Sequence, residues 1–177
     1  MNLRALPLLL TITASVATSV AHAATTGSLR FTGRVDGGTC NLALSDVSRA
    51  IMLPPVKIPD FEGVSYTGMY DFEISANCDA DVRNVTFLFA GTAASGNGAI
   101  FASTGTASGI GLWLAQRPAG GGTSTIPANG SVAQRSRTVA TAGSRAILPL
   151  QTAYHKTSGA LSQGSLATNV TISITYD

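Results

Sequence analysis

Two cysteines, one histidine in the mature region and a few closely spaced carboxylates are the side chains that could do chemistry in this chain. Cys40 and Cys78 are the only cysteines. They could form a disulfide, hold a metal or stay as free thiols, and each choice depends on compartment and on further ligands. A metal site needs more ligands than His155 supplies. As a lone histidine in a strand-like pattern, His155 is a poor candidate for a general base. Asp71 and Glu73, with Asp79 and Asp81 nearby, could draw a cation, but they lack the ligand count and the glycine of a calcium loop. Solvated turn carboxylates are the simpler reading. Gly105-Thr106-Ala107-Ser108-Gly109 has the wrong spacing for a nucleophile elbow. No glycine cluster is followed by Lys-Ser/Thr, so none reads as a phosphate loop. Asn84, Asn129 and Asn169 lie in N-x-S/T sequons, a pattern common by chance. Trp113 with Tyr66, Tyr70 and Tyr154 could line a sugar site, although core packing explains buried aromatics more simply. No acid–base or nucleophile constellation emerges, and the residues predict neither an enzyme nor a bound cofactor.

The elements that would position these residues are strands. The last ten residues, 168–177, carry the strongest pattern: Val170, Ile172, Ile174 and Tyr176 alternate with polar residues, and Asp177 ends the sequence. Period two puts one set on each face of a strand, and Val, Ile, Thr and Tyr suit a half-buried pleated surface. A second alternating stretch runs from Gly27 to Val35. Gly27, Leu29, Phe31, Gly33 and Val35 share one face, and Ser28, Arg30, Thr32 and Arg34 the other. Glycine inside a strand often marks close approach of another backbone. Further strands are expected at Cys40 to Leu44, Ala50 to Leu53, Tyr70 to Ala76 and Val82 to Ala90, the last with Val85, Phe87 and Phe89 on one face. Others are expected at Ile110 to Gln116, weakly at Val132 to Ala140, and at Arg145 to His155, where Pro149 predicts an edge or a bulge. Loops are expected at Pro59 to Gly63, Gly91 to Gly98 and Gly120 to Gly122. No helical period is evident. Seven to nine strands at this spacing predict an all-β antiparallel sandwich of immunoglobulin-like architecture.

Composition fits that reading. The 177 residues suffice for one domain with its own core. Only 11% are charged, against about a quarter in ordinary proteins, and the net charge is +2 with basic residues scattered singly. No basic stripe points to nucleic acid. Arg4 precedes an apolar run from Ala5 to Val20, and Ala21-His22-Ala23 gives a small-x-small cleavage pattern. The expectation is a secretory signal peptide over 1–23, a mature chain from Ala24, and no membrane span in it. In an oxidising compartment the two cysteines are most simply one disulfide.

Read in order, five features of the mature chain resemble a chaperone–usher pilin, the type 1-like fimbrial subunit of Gram-negative bacteria. The alternating N-terminal segment leads through Phe31-Thr32-Gly33-Arg34-Val35 to Cys40. The second cysteine sits in Phe72-Glu73-Ile74-Ser75-Ala76-Asn77-Cys78-Asp79. Phe87-Leu88-Phe89-Ala90-Gly91-Thr92-Ala93 looks like the family's next strand and turn, and Ile147-Leu148-Pro149-Leu150-Gln151-Thr152-Ala153-Tyr154 like its penultimate strand. The end matches the family's β-zipper, with Gly164 fourteenth from the terminus, alternating apolar positions and the penultimate Tyr176.

The resemblance implies an immunoglobulin-like sandwich lacking its last strand (the pilin fold), with residues 24–35 as an N-terminal donor-strand extension and 36–177 as the pilin domain. Gly27, Leu29, Phe31, Gly33 and Val35 would be the donor face. Gly164, Val170, Ile172, Ile174, Tyr176 and Asp177 would form the groove strand that meets a chaperone. The implied partners are a periplasmic pilus chaperone, an outer-membrane usher and neighbouring pilin subunits in a head-to-tail fibre on the cell surface. The implied role is structural, serving adhesion. Sixteen residues (24 to 39 inclusive) precede Cys40. That length is similar to the family's minor or adaptor subunits, and the chain is too short for a two-domain tip adhesin. The rival expectation is a secreted monomeric carbohydrate-binding module, whose sandwich would be complete.

Overall fold

The computed structural model describes residues 29–177, which fall into two units divided between Val35 and Asp36. The expected leader through Ala23, and Gly27 of the expected donor face, lie outside the described residues. In the first unit, residues 29–35 form no helix or strand, and Leu29, Phe31 and Val35 are 85%, 88% and 99% exposed. The strand expected over this segment is therefore not formed in its described part. Alternation alone supplies no ladder, because a strand's backbone groups need a partner to bond.

The second unit is an antiparallel sandwich. Its elements in chain order are β1 (Cys40–Leu42), α1 (Leu44–Val47), a 3-10 turn (Ile58–Phe61), β2 (Tyr66–Cys78), β3 (Asn84–Ala90), β4 (Ala93–Ala94), β5 (Asn97–Ala102), β6 (Ile110–Gln116), β7 (Ser124–Thr125), α2 (Val132–Arg135), β8 (Ser136–Ala140), β9 (Arg145–Lys156) and β10 (Thr171–Tyr176). The larger sheet runs β1-β2-β9-β6-β5-β4, with β7 beside β6; the smaller runs β10-β3-β8. Alternation explains what each sheet contributes to the core. Val85, Phe87 and Phe89 of β3 are fully buried, and from the larger sheet Ile74, Leu114, Leu148 and Leu150 meet them in one cluster. Inward Leu148 and Leu150 alternate with Ile147, which is exposed.

Five sequence expectations are corrected. Val132–Arg135, expected as the start of a strand, is the helix α2, whose N-terminus Ser131 and Gln134 cap reciprocally, and the strand begins only at Ser136. Ala50 to Leu53 forms no strand; two prolines follow, which cannot donate to a ladder. Ile58–Phe61 is a 3-10 turn in place of a loop, with Lys57 N donating to the Asp60 carboxylate at 2.7 Å. Part of the region read as a Gly/Ser/Ala/Thr loop is β4 and the start of β5, a strand that buries Ile100 and Phe101. Its small residues hid the pattern. Lastly, Pro149 marks neither an edge nor a bulge: β9 lies between β2 and β6, with an unbroken register from Tyr70 to Asn77. In a strand, the nitrogen and carbonyl of one residue point to the same side. The Pro149 carbonyl accepts from Arg117 N at 3.0 Å, so its nitrogen also faces Arg117, one residue past the end of β6. The missing donor therefore falls where that ladder runs out.

Candidate functional site

Among the described residues, the β10 strand has a neighbour on one side only within its sheet. It pairs with β3 from Thr171↔Ala90 to Tyr176↔Val85, and the sheet order places it at the edge. Its core-facing residues sit opposite fully buried side chains: Ile172 pairs with Phe89, Ile174 with Phe87 and Tyr176 with Val85. Val85, Phe87 and Phe89 are at most 1% exposed, whereas Val170, Ile172 and Ile174 are half-buried and Tyr176 is 43% exposed. An apolar face that is sealed along β3 is thus open along β10.

The backbone bonds add a second property to the same residues. Asp177 N donates to Asn84 O at 3.2 Å, and Asp177 O accepts from Arg83 N at 2.7 Å and Asn84 N at 3.3 Å. Residue 177 therefore directs its backbone groups to β3. By alternation residues 175, 173 and 171 do the same, and Tyr176, Ile174 and Ile172 turn theirs to the opposite side, where the sheet has no strand. The residues whose side chains half-cover the core are also those whose N–H and C=O groups face outward. Such an edge can accept an added strand through both main-chain bonds and side-chain pockets.

Gly164 does not belong to this edge. It lies in the connection before β10, where a Cβ would come within 2.4 Å of Ala107 N. Two loops cross there: Ala107 N donates to Ser165 O at 3.0 Å, Thr104 N to Ala167 O at 2.8 Å, and Ser108 N to Ser162 Oγ at 2.9 Å. Glycine at 164 is a close-approach residue that fixes how the chain enters β10.

Cys40 and Cys78 are disulfide-bonded and directly opposed in the β1–β2 register. The residues flanking the bond hold the same hairpin. Asp79 Oδ2 accepts from Thr39 N at 2.7 Å and Thr39 Oγ1 at 3.0 Å, and Asp81 Oδ2 accepts from Gly38 N at 2.8 Å. A Cβ on Gly38 would collide with the Asp81 carboxylate. The Thr39 backbone N–H, and secondarily its hydroxyl, hold the Asp79 carboxyl below its ordinary pKa. These two aspartates are hairpin clamps. Asp71 is elsewhere, paired with Arg117 and accepting from Gln151 Nε2 at 2.7 Å. Among the described residues, no three His, Cys, Asp or Glu side chains gather as a metal site would require.

The aromatic residues divide between faces. Tyr66 stacks on Trp113 (centroids 5.4 Å apart, planes 19° apart) and lies near-parallel to His155 at 6.3 Å. Trp113 Nε1 donates to Thr125 Oγ1 at 3.0 Å. These three rings are on the outer face of the larger sheet and spend their faces on one another. Tyr154, adjacent to His155, points to the opposite face, against Val56 and Gly68. Burial raises its pKa. The four aromatics considered from sequence as one sugar platform are not brought together. A buried carboxylate that sequence reading did not single out, Asp46, bonds Ser75. An isolated Asp after a short apolar run gives no signal of it.

No protein-family profile matches the sequence, and no curated protein does. Solved structures match with probability 1.00. The P pilus rod subunit PapA shares 16% identity and a TM-score of 0.61, covering 78% of this chain and 99% of its own. A chaperone–usher pilus structure bearing on rod uncoiling shares 15% identity and a TM-score of 0.62 over 90% of this chain and 100% of its own. The fold is that of chaperone–usher pilus subunits. A part of the CupB6 tip adhesin from Pseudomonas aeruginosa carries the same pilin fold: 21% identity and TM-score 0.51, covering 66% of this chain and 33% of that one. Among the described residues no strand lies beside β10 on its outer side, in keeping with the incomplete sandwich that the resemblance implied. Among the described residues no helix is long and apolar enough to cross a membrane.

Proposed function

We propose that this chain is a structural subunit of a chaperone–usher fimbria, polymerised head to tail by strand addition at the β10 edge. One observation carries the reading: Ile172 and Ile174 combine half-buried apolar side chains with outward-facing backbone groups, beside the fully buried Phe87 and Phe89. In the reading, a periplasmic chaperone first lends a strand to this edge. An outer-membrane usher then brings up a second subunit, and its residues 24–35 replace the chaperone's strand. The donor face is Gly27, Leu29, Phe31, Gly33 and Val35. Fully burying one large apolar side chain such as Phe31 is worth roughly 1.5–3 kcal/mol, and several in one joint make dissociation slow. A contact between two different surfaces that does not close on itself yields a filament. The chain is exported through the periplasm after cleavage at Ala23, ends in a fimbria on the cell surface and has no enzymatic role.

The test is deletion of Ala24 to Arg34 from the exported chain. The shortened protein is expected to co-purify with its chaperone and to fail to extend a fibre from another subunit. Normal polymerisation by the deletion protein would sink the proposal. A monomeric carbohydrate-binding module needs a sandwich closed along β10, which the half-exposed apolar face of that strand disfavours.

A further inference from the structure

A sandwich has several edges, and strand addition can occur at any edge that offers unpaired backbone groups. The β2 strand presents one besides β10. It is thirteen residues long, but β1 covers it only along Cys78, Asn77 and Ala76. Beyond them, Ser75 and Glu73 direct their backbone groups to the same side. Ala43 N donates to Ser75 O at 2.9 Å, and Arg49 Nη1 donates to Glu73 O at 2.7 Å. At Ala43 the chain leaves the ladder, because its carbonyl accepts from Asp46 N at 2.8 Å and opens α1. The Ser75 N–H would be left without its strand partner. The Asp46 side chain takes that place: Oδ2 accepts from Ser75 N at 2.9 Å and Ser75 Oγ at 3.3 Å, and Oδ1 accepts from Arg49 Nη1 at 3.1 Å. The Asp46 side chain is 4% exposed. Arg145 Nη2 donates to Ser75 Oγ at 3.0 Å from the neighbouring strand, and the Arg49 guanidinium lies 5.9 Å from the Phe72 ring centre.

We infer that Asp46 and Arg49 lock the β2 edge against strand addition, so that a donor strand is not captured there. This rests on the reading of the chain as a strand acceptor. Three consecutive backbone groups of β2 are claimed by the segment that follows β1, two of them by side chains that no incoming strand can pair with. A strand arriving here must expel a buried carboxylate, break its ion pair with Arg49 and forfeit its hydrogen bonds to Ser75. The edge also adjoins exposed Leu44 and Val47 of α1, which would otherwise add apolar contact for a mispaired strand. At the opposite end of the same sheet β4 is only two residues long, too short to serve as a template. The donor segment of a neighbouring subunit is thus turned away from both ends of the larger sheet.

The experiment uses the full exported chain, a synthetic peptide of residues 24–35 and three variants, Asp46→Ala, Arg49→Ala and Asp46→Asn. Native mass spectrometry counts peptides per chain, and hydrogen–deuterium exchange locates them. The wild type and Asp46→Asn, which keeps an acceptor for Ser75, are expected to take one peptide and gain protection over residues 170–176. Asp46→Ala and Arg49→Ala are expected to take two, with new protection over residues 71–75. Arg49→Ala leaves the Asp46–Ser75 bonds in place, so it remains informative if Asp46→Ala does not fold. One peptide on every folded variant, with protection at β10 alone, overturns the inference and leaves the strand-acceptor reading standing. Peptide on none of the proteins overturns both.

Discussion

At the scale of single residues, the contrast between β3 and β10 is measurable. Phe87 is fully buried, and Phe87→Ala is expected to destabilise the isolated subunit by about 3–5 kcal/mol in urea unfolding. Its cross-strand partner Ile174 is half-buried. Ile174→Ala should cost the isolated subunit only about 1 kcal/mol and should cost more once a chaperone or donor strand covers it. Equal losses at the two positions, in the free subunit, would show that the β10 face is already sealed. Asp79 supplies a pH signature. Its carboxyl is held low by the Thr39 N–H and then by the Thr39 hydroxyl. A depressed carboxylate contributes stability above its unfolded pKa of about 3.9, and that contribution is lost as the pH falls through the lower folded value. The urea midpoint should therefore drop on acidification below about pH 4. Asp79→Asn should flatten that part of the profile and lower the midpoint near neutrality, where the ionised carboxylate otherwise contributes in full.

At the scale of elements, most strands were legible because their side chains alternate. The clearest case is Val85, Phe87 and Phe89, whose period two became a fully buried face. What the pattern could not convey was neighbourhood. Pro149 suggests an edge to anyone reading the strand alone; only the length of β6 reveals that its missing donor falls past the end of a ladder. Gly164 read as part of the terminal strand because it stands at a family spacing, yet its place is set by Thr106 and Ala107, more than fifty residues earlier. Asp46 was invisible for the same reason, since its partner Ser75 is remote in sequence. The hairpin of β1 and β2 belongs to this scale too. The disulfide closes a separation of 38 residues. Loop-closure entropy for that span is about 4 kcal/mol, so Cys40→Ser with Cys78→Ser should lower unfolding stability by about that amount. Loss well below it would mean that the reduced unfolded chain keeps residual structure over that span.

At the scale of the whole molecule, the two sheets differ in extent, and among the described residues the smaller one ends at β10. Tyr176 and Asp177 lie at that limit, with Asp177 O held by Arg83 and Asn84. Tyr176→Ala, or removal of Asp177, is expected to reduce chaperone capture and periplasmic yield; unchanged capture on pull-down would remove the terminus from the contact. The hairpin acquires another meaning once the molecule is imagined under tension. In a fibre, force would enter through residue 36 and leave through whatever grips β10. A three-residue strand such as β1 resists peeling poorly, since its few bonds would break one after another. The covalent link at Cys40, two residues past Gly38, passes that load directly to β2. There it is shared in shear with β9 along most of the length of β2. The cysteine pair is thus a mechanical shunt: a pulled subunit should extend from β10 before its first hairpin yields, and reduction should reverse that order.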